Sequence, residues 1–599
     1  MFHSSAFALT KEFPMSERSQ RTETASRPSW RPTVIGTHYA VACGHYLAAA
    51  AAARILERGG NAVDAGVTAA MALAVLQPDI VCFAGVAPTL VYLAESGQIV
   101  SLAGLGYWPA ATDVARLASE GNGTVPEGLL RTVVPAAPAT HIEALQRFGT
   151  ISFEEAATPA YQLARDGFAM YPVFARTLDK HAEKYDRYPD NARIFRPGGR
   201  TPEVGSLFQQ ADLACSIKTV IDAERHAVGD RIRKLQGAHD CFYRGPIAKS
   251  IADYHRANRG FFTEEDLATF EVPVETAISC HYKGIDLHSC DVWCQGIVLL
   301  ETLKILEGVD LKALGHNSVS YVHVVAEALN LAFADREAYV GDPKFVSVPT
   351  TALLSDEYAA RQRARIDKRR AFGAMPSPGL PAANHVPYTA SFLAAGKAID
   401  ESHVDLDTIY CSVVDRHGNA YSATLSDNSR DTPIIPGTGL AISSRGCQSR
   451  LEPGHPSEVK PGKRPRLTPT PAMAFQNDEF LMAFGTPGGD VQTQAMLQVF
   501  LNVTEFGMTV QQAIEAPRFG TFSFPNSFAP HAYLPGRLNI ESRFPETTVN
   551  ALRQLGHDVE LWPDTASAAG AVCMIRRDPD THLLHAGADP RREAYALTW

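Results

Sequence analysis

Leu406 to Arg430 reads LDTIYCSVVDRHGNAYSATLSDNSR and places Thr408 at the head of two alternating apolar runs joined by a turn. Tyr410, Ser412 and Val414 fall on one face of the first run, and Ile409, Cys411 and Val413 on the other. Asp415 to Asn419 supply turn chemistry before a second strand resumes over Ala420 to Ser426, so the segment reads as a β-hairpin. A threonine hydroxyl is a poor nucleophile and needs a base. A free α-amine on the same residue, with an ordinary pKa of about 8, supplies one without help from another side chain. Such an amine exists only if the chain is cut between Asp407 and Thr408. On local pattern alone Thr408 is simply a β-branched residue that starts a strand, and the hairpin does not carry the nucleophile reading.

Longer stretches decide between the two readings. In order along the chain come ILERGGNAVDAGVTAAMALAVLQP, FYRGPIA, GFFTEEDLATF and EALNLAFADREAYVGDP, then the quoted hairpin. KRPRLTPTPAM, GTPGGDVQTQAMLQVFLN, EAPRF and ADPRREAYALTW follow it. These blocks resemble the γ-glutamyltranspeptidase family of N-terminal-nucleophile hydrolases, from the region of Tyr39 to the C-terminus. The resemblance implies an α+β fold, a four-layer αββα sandwich formed jointly by two pieces of one precursor. Cleavage between Asp407 and Thr408 would give a large subunit over 34–407 and a small one over 408–599, after a disordered lead-in over 1–33. The two would form one composite domain, compatible with a homo-oligomer of heterodimers. By the same resemblance Thr408 is the nucleophile, Ser426 hydrogen-bonds its hydroxyl, and Asn428 orients the substrate. Gly488 and Gly489 form the oxyanion hole, and Thr468 falls where a serine usually contacts a substrate carboxylate.

Pro487-Gly488-Gly489 also suits a tight turn before a helix from Val491, with Asp490 as its cap, which is the plain structural alternative. Departures from the family pattern bear on the substrate. The arginine that holds a γ-glutamyl α-carboxylate is replaced by Leu105 in LAGLGYWPAAT, and the acidic residue that holds the α-amine by Gln448 in SSRGCQS. A buried carboxylate without a cationic partner is costly, so poor binding of glutathione is expected. Arg430 or Arg445 is the available replacement clamp, and Tyr107 and Trp108 suggest an aromatic-lined pocket. The expected activity is hydrolysis of a small-molecule amide, such as a small dicarboxylic monoamide or an acylated amine. The alternatives are a γ-glutamyl transferase with a relocated clamp and an uncleaved binding protein.

With 599 residues, 45% of them hydrophobic, the chain can bury a large core. A net charge of −10 and a pI near 6.1 argue against nucleic-acid or anionic-membrane partners. Met1 to Thr33 lacks an apolar export segment, which predicts a cytoplasmic protein with reduced thiols among its ten cysteines. His288, Cys290 and Cys294 fit no zinc spacing, and neither a metal nor another cofactor is expected. Helices are expected over Tyr46–Leu56, from an Asn61 cap to Leu76, over Phe153–Leu178 with interruptions at Pro159 and Pro172, and over Val319–Tyr339. Arg363 to Val404, rich in Pro, Ala and charge, is expected to be a mobile segment running up to the cleavage point.

Overall fold

The computed structural model describes residues 29–381, 386–388 and 407–599. Strands Ile409–Val414 and Ala420–Leu425 pair antiparallel, with Ile409 opposite Leu425 and Val414 opposite Ala420. Asp415 closes the turn, its Oδ1 accepting from the His417 N–H at 2.8 Å and the Asn419 N–H at 3.1 Å. Its Oδ2 accepts from the Ala62 N–H at 2.9 Å, so the same carboxylate sits at the positive end of helix Ala62–Leu76. The hairpin turn is thereby tied to the first turn of that helix.

The hairpin is the centre of a seven-stranded sheet. Ala40–Cys43 and Tyr595–Thr598 lie on one side of it, and Thr89–Leu93, Gln98–Leu102 and Val274–Glu275 on the other. A second seven-stranded sheet runs Val34–Gly36, Leu584–Ala588, Cys573–Arg577, Glu479–Gly485, Ala472–Gln476, Ile285–Ser289 and Ile278–Tyr282. Neighbouring strands are antiparallel throughout both. Tyr410 and Val414 face the second sheet and pack with Met473, Ala483 and Ile575. Ile409, Cys411 and Val413 face helices Ala62–Leu76 and Phe153–Asp166. The far side of the second sheet carries helices Gly296–Glu307, Val319–Tyr339 and Val491–Thr504. The layers are helix, sheet, sheet, helix, as the resemblance implies. Each sheet combines strands from upstream and downstream of Thr408, so neither piece has a complete core of its own.

Most expected helices form where the caps put them. Asn61 accepts from the Val63 and Asp64 N–H groups while Asp64 accepts from the Asn61 N–H, a reciprocal cap for Ala62–Leu76. Tyr46–Glu57 ends just before Gly59, whose φ of +95° no helix continues. The Phe153–Leu178 stretch is two helices, Phe153–Asp166 with Pro159 inside and Pro172–Lys180 with its proline in the first turn. Among the described residues no helix is long and apolar enough to cross a membrane.

Helix Ala62–Leu76 is buried all round, and at Gly66 it touches the hairpin itself: a Cβ there would lie 2.2 Å from Cδ1 of Tyr421. Gly66→Ala is therefore expected to cost about 1–3 kcal/mol despite its better helix propensity, read as a lower urea midpoint.

One expectation fails in part. Of the stretch foreseen as mobile, 382–385 and 389–404 lie outside the described residues, but 363–381 is docked. Asp335 accepts from the Gly379 N–H at 2.7 Å, Glu327 from the Phe372 N–H at 2.9 Å, and the Tyr533 hydroxyl from the Met375 N–H at 2.8 Å. Those acceptors are buried side chains from distant elements, which local periodicity cannot register. Of the lead-in, 1–28 lies outside the described residues, and the Arg31 N–H donates to Glu515 at 3.0 Å.

Candidate active site

Thr408 stands at the mouth of the central hairpin, fully buried, with φ at +94°. That region is strained for a β-branched residue, by about 1–3 kcal/mol, and here it falls on the peptide bond that would be cut. Three contacts hold the residue in place. Its N–H donates to the Ile80 carbonyl at 2.8 Å, its Oγ1 lies 2.7 Å from Ser426 Oγ, and Asp407 Oδ1 lies 3.4 Å from the same Oγ1. The expected pairing of Thr408 with Ser426 is thus present as a hydrogen bond between the residue before one strand and the residue after its partner strand.

Arg445 reaches the same point from a 3-10 turn over Arg445–Gln448. Its Nη2 donates to Asp407 Oδ2 at 2.6 Å and to Ser426 Oγ at 2.6 Å, and its Nε is 3.6 Å from Asp427 Oδ1. Burial alone would pull this guanidinium down, but Asp407 and Asp427 more than reverse that and hold it above its ordinary range. Asn428 Nδ2 lies 3.3 Å from Asp407 Oδ2 and 3.0 Å from Asp431 Oδ2, while its Oδ1 accepts from the Arg430 and Asp431 N–H groups. The residue before the junction is therefore gripped by a cation and an amide.

Asp407 and Asn428 line a cavity of about 370 Å³ whose other wall carries Gly488 and Gly489. Their φ values of +127° and +55° admit glycine and strain any other residue. Neither amide N–H finds an acceptor among the described residues. Two donors that face a cavity without acceptors suit a developing oxyanion. Asp490 does not cap the helix that follows: its carboxylate takes Arg336 at 2.5 Å and the Ser527 hydroxyl at 2.6 Å instead. This anchors the glycine turn to helix Val319–Tyr339, and Gln295 adds a hydrogen bond to the Gly489 carbonyl at 3.0 Å.

The other foreseen residues lie elsewhere. Leu105 packs between the two sheets and does not line the cavity. Gln448 and Thr468 satisfy each other, Nε2 to Oγ1 at 2.8 Å and Oε1 from the Thr468 N–H at 3.1 Å, and are buried outside it. Arg430 donates to the Asp79 carbonyl at 2.6 Å and lines a neighbouring cavity that also includes Ile80. Tyr107 and Trp108 are not the aromatic lining: Trp108 donates to Ser449 Oγ at 3.0 Å within a separate cluster with Leu117 and Phe261. The aromatic wall comes from Phe522, Phe524, Phe528 and Trp562. A charged rim of Glu127, Arg131, Lys184 and Asp431 was also missed. Lys184 is 2.9 Å from Glu127 and 3.3 Å from Asp431, and Arg131 is 3.9 Å from Asp431. Burial raises the Asp431 carboxyl, and Arg430, Lys184 and Arg131 more than reverse that. TFSFPNSF, with phenylalanines at every second position to Phe524, was the one cue to the wall.

The chain has counterparts among known proteins. The family described as gamma-glutamyltranspeptidase matches residues 48–599. The chain is 31% identical over 561 residues to the Acylase ACY 1 proenzyme of Pseudomonas sp. (strain SE83), covering 92% of this chain and 91% of that one. It is 30% identical over 555 residues to the glutathione hydrolase proenzyme of Escherichia coli (strain K12), covering 90% and 87%. Cephalosporin acylase from Bacillus halodurans superposes with a TM-score of 0.82 at 29% identity, over 97% of this chain and 99% of that one. With the family matched over residues 48–599 and a sandwich shared along nearly the whole length of cephalosporin acylase, this chain belongs to the γ-glutamyltranspeptidase family, an amidohydrolase of the N-terminal-nucleophile type.

Proposed function

We propose that the chain cuts itself between Asp407 and Thr408 and then hydrolyses the amide of a small dicarboxylic acid through an acyl-enzyme on Thr408. The observation that carries this reading is the grip on Asp407, whose carboxylate is held by Arg445 and Asn428 at the cavity wall beside the Thr408 hydroxyl. In maturation Thr408 Oγ attacks the Asp407 carbonyl carbon and the peptide C–N bond breaks, giving an ester and a free α-amine. Water then hydrolyses the ester and leaves Asp407 as a new C-terminus. Ser426 Oγ is the nearest proton acceptor for the first step. In turnover the α-amine takes the hydroxyl proton, Oγ forms the acyl ester, Gly488 and Gly489 donate to the oxyanion, and the amine protonates the leaving group.

The maturation ester is itself an acyl-enzyme, that of an aspartyl acyl group with its carboxylate on Arg445. When the tail ending at Asp407 departs, Arg445 keeps its charge and loses that partner. A substrate acyl group with a carboxylate two carbons from the scissile carbonyl, as in a succinic monoamide, restores the same ion pair. The wall of Phe522, Phe528 and Trp562 suits an apolar leaving amine.

Denaturing electrophoresis with N-terminal sequencing tests the reading: two fragments are expected, the smaller beginning Thr-Ile-Tyr-Cys. A single 64.9 kDa band would point to an uncleaved binding protein instead. For the processed enzyme, succinic monoanilide is expected to turn over at least tenfold faster than γ-glutamyl anilide, because neither Leu105 nor Gln448 can hold an α-amino acid head. Arg131 on the cavity rim favours the second reading, a γ-glutamyl hydrolase with a relocated clamp. Faster turnover of the γ-glutamyl anilide would establish that alternative.

A further inference from the structure

Away from the cavity, three buried side chains converge where no described reaction needs them. His323 and Glu327 stand one turn apart on helix Val319–Tyr339, and His557 lies between helix Glu546–Gln554 and strand Asp558–Trp562. One ligand atom from each lies within 4.8 Å of the other two. The hydrogen bonds fix the tautomers. His323 Nε2 is 2.8 Å from the main-chain carbonyl of Asp367, which can only accept, so Nε2 carries the hydrogen and Nδ1 of the neutral ring holds a lone pair. That Nδ1 is 2.8 Å from His557 Nε2, which must then donate, and the remaining His557 nitrogen, Nδ1, lies 4.0 Å from Glu327 Oε1. The Glu327 carboxylate is itself oriented by the Phe372 N–H at 2.9 Å and by Asn330 at 3.2 Å.

We propose that His323, Glu327 and His557 form a binding site for a divalent metal ion of zinc type, with water as fourth ligand. Two imidazoles and one carboxylate are a recurrent zinc ligand set, and a histidine whose outer nitrogen donates to a main-chain carbonyl is pre-oriented as such ligands are. Zinc bonds of about 2.0–2.1 Å place tetrahedral ligand atoms about 3.2–3.5 Å apart, so the ion would take the place of the hydrogen between His323 Nδ1 and His557 Nε2, with His557 passing to the tautomer that carries its hydrogen on Nδ1, the two rings parting slightly and the Glu327 carboxylate closing in. Glu327 is almost fully buried, where a cation would compensate its poorly solvated carboxylate.

The site joins helix Val319–Tyr339, upstream of Thr408, to His557, downstream of it. A bound ion would bridge the two fragments after cleavage; that role rests on the proposed processing, whereas binding does not. The same helix carries Arg336, which anchors Asp490 beside the glycine donors.

The test uses the full chain, stripped with a chelator and titrated with Zn²⁺ by calorimetry, in the wild type and in uncleavable Thr408→Ala. About one equivalent per chain is expected in both, with at least tenfold weaker binding in His557→Gln and in Glu327→Gln. Cobalt-soaked crystals of the wild type guard against variants that fail to fold, with an anomalous peak expected among the three side chains. No stoichiometric binding, affinity unchanged in His323→Gln/His557→Gln, or an anomalous peak elsewhere would each overturn the site and leave a purely structural hydrogen-bonded histidine pair. None of these results bears on whether Thr408 is the nucleophile.

Discussion

Thr408→Ala is expected to leave the 64.9 kDa chain whole and to lower amide turnover by about 10⁵-fold or more. Two separate events fail in that variant. The Oγ that would attack the Asp407 carbonyl is gone, so no ester forms and no α-amine is released. The same Oγ is the turnover nucleophile, and neighbouring Ser426 cannot replace it, because its Oγ has no α-amine of its own to serve as base. The alanine also lies at φ +94°, where it loses the γ-branch but keeps much of the strain, so the uncut precursor should fold with little change in its urea midpoint. Thr408→Ser separates chemistry from scaffold: it keeps the hydroxyl and should process, more slowly if the methyl group helps to orient Oγ. Time-resolved electrophoresis and a succinic monoanilide assay read both outcomes. A fragment starting at residue 408 in the alanine variant, or turnover within tenfold of the wild type, would remove Thr408 from the mechanism.

What the chain announces in advance and what it conceals divide along a physical line. The hairpin was legible because Ile409 to Val414 alternate cleanly and the turn residues sit between two β-rich runs. That both of its faces are buried was less so, since Ser412 reads as a solvent position until the second sheet covers it. Gly488 and Gly489 were legible through their permissive backbone, and the positive φ at both is the reason glycine is required there. Arg445 was visible as a cation but not as the partner of Asp407, because 38 residues and a change of element separate them. Leu105, Tyr107 and Trp108 were placed at the pocket on resemblance alone. In the fold the end of strand Gln98–Leu102 leads Leu105 into the layer between the sheets and turns Trp108 into its own cluster. The aromatic wall was largely hidden because Phe522, Phe524 and Phe528 come from an irregular loop and Trp562 from the end of the distant strand Asp558–Trp562.

Arg445→Met should act on both stages. In the precursor it removes the cation from between Asp407 and Asp427, both almost fully buried. Asp427 retains the Ser443 and Ser444 hydroxyls at 2.7 and 2.8 Å, but Asp407 keeps the Asn428 amide at 3.3 Å and the Thr408 hydroxyl at 3.4 Å, the latter absent once Thr408 is alanine. An unpaired buried carboxylate of that kind costs about 3–5 kcal/mol, to be measured as a lower urea midpoint on the Thr408→Ala background so that processing does not confound it. Self-cleavage should slow as well, since the guanidinium that donates to Ser426 and fixes Asp407 beside Thr408 is missing. In whatever enzyme does mature, the KM for succinic monoanilide should rise at least tenfold while that for a neutral butyric anilide changes little, because only the first has a carboxylate to lose its partner. Arg445→Lys should recover part of the stability and less of the affinity, as a single ammonium cannot reproduce the planar fork that reaches Asp407 and Ser426 through Nη2 and Asp427 through Nε. An unchanged midpoint together with equal KM shifts for the two anilides would show that Arg445 neither holds the junction nor reads the acyl group.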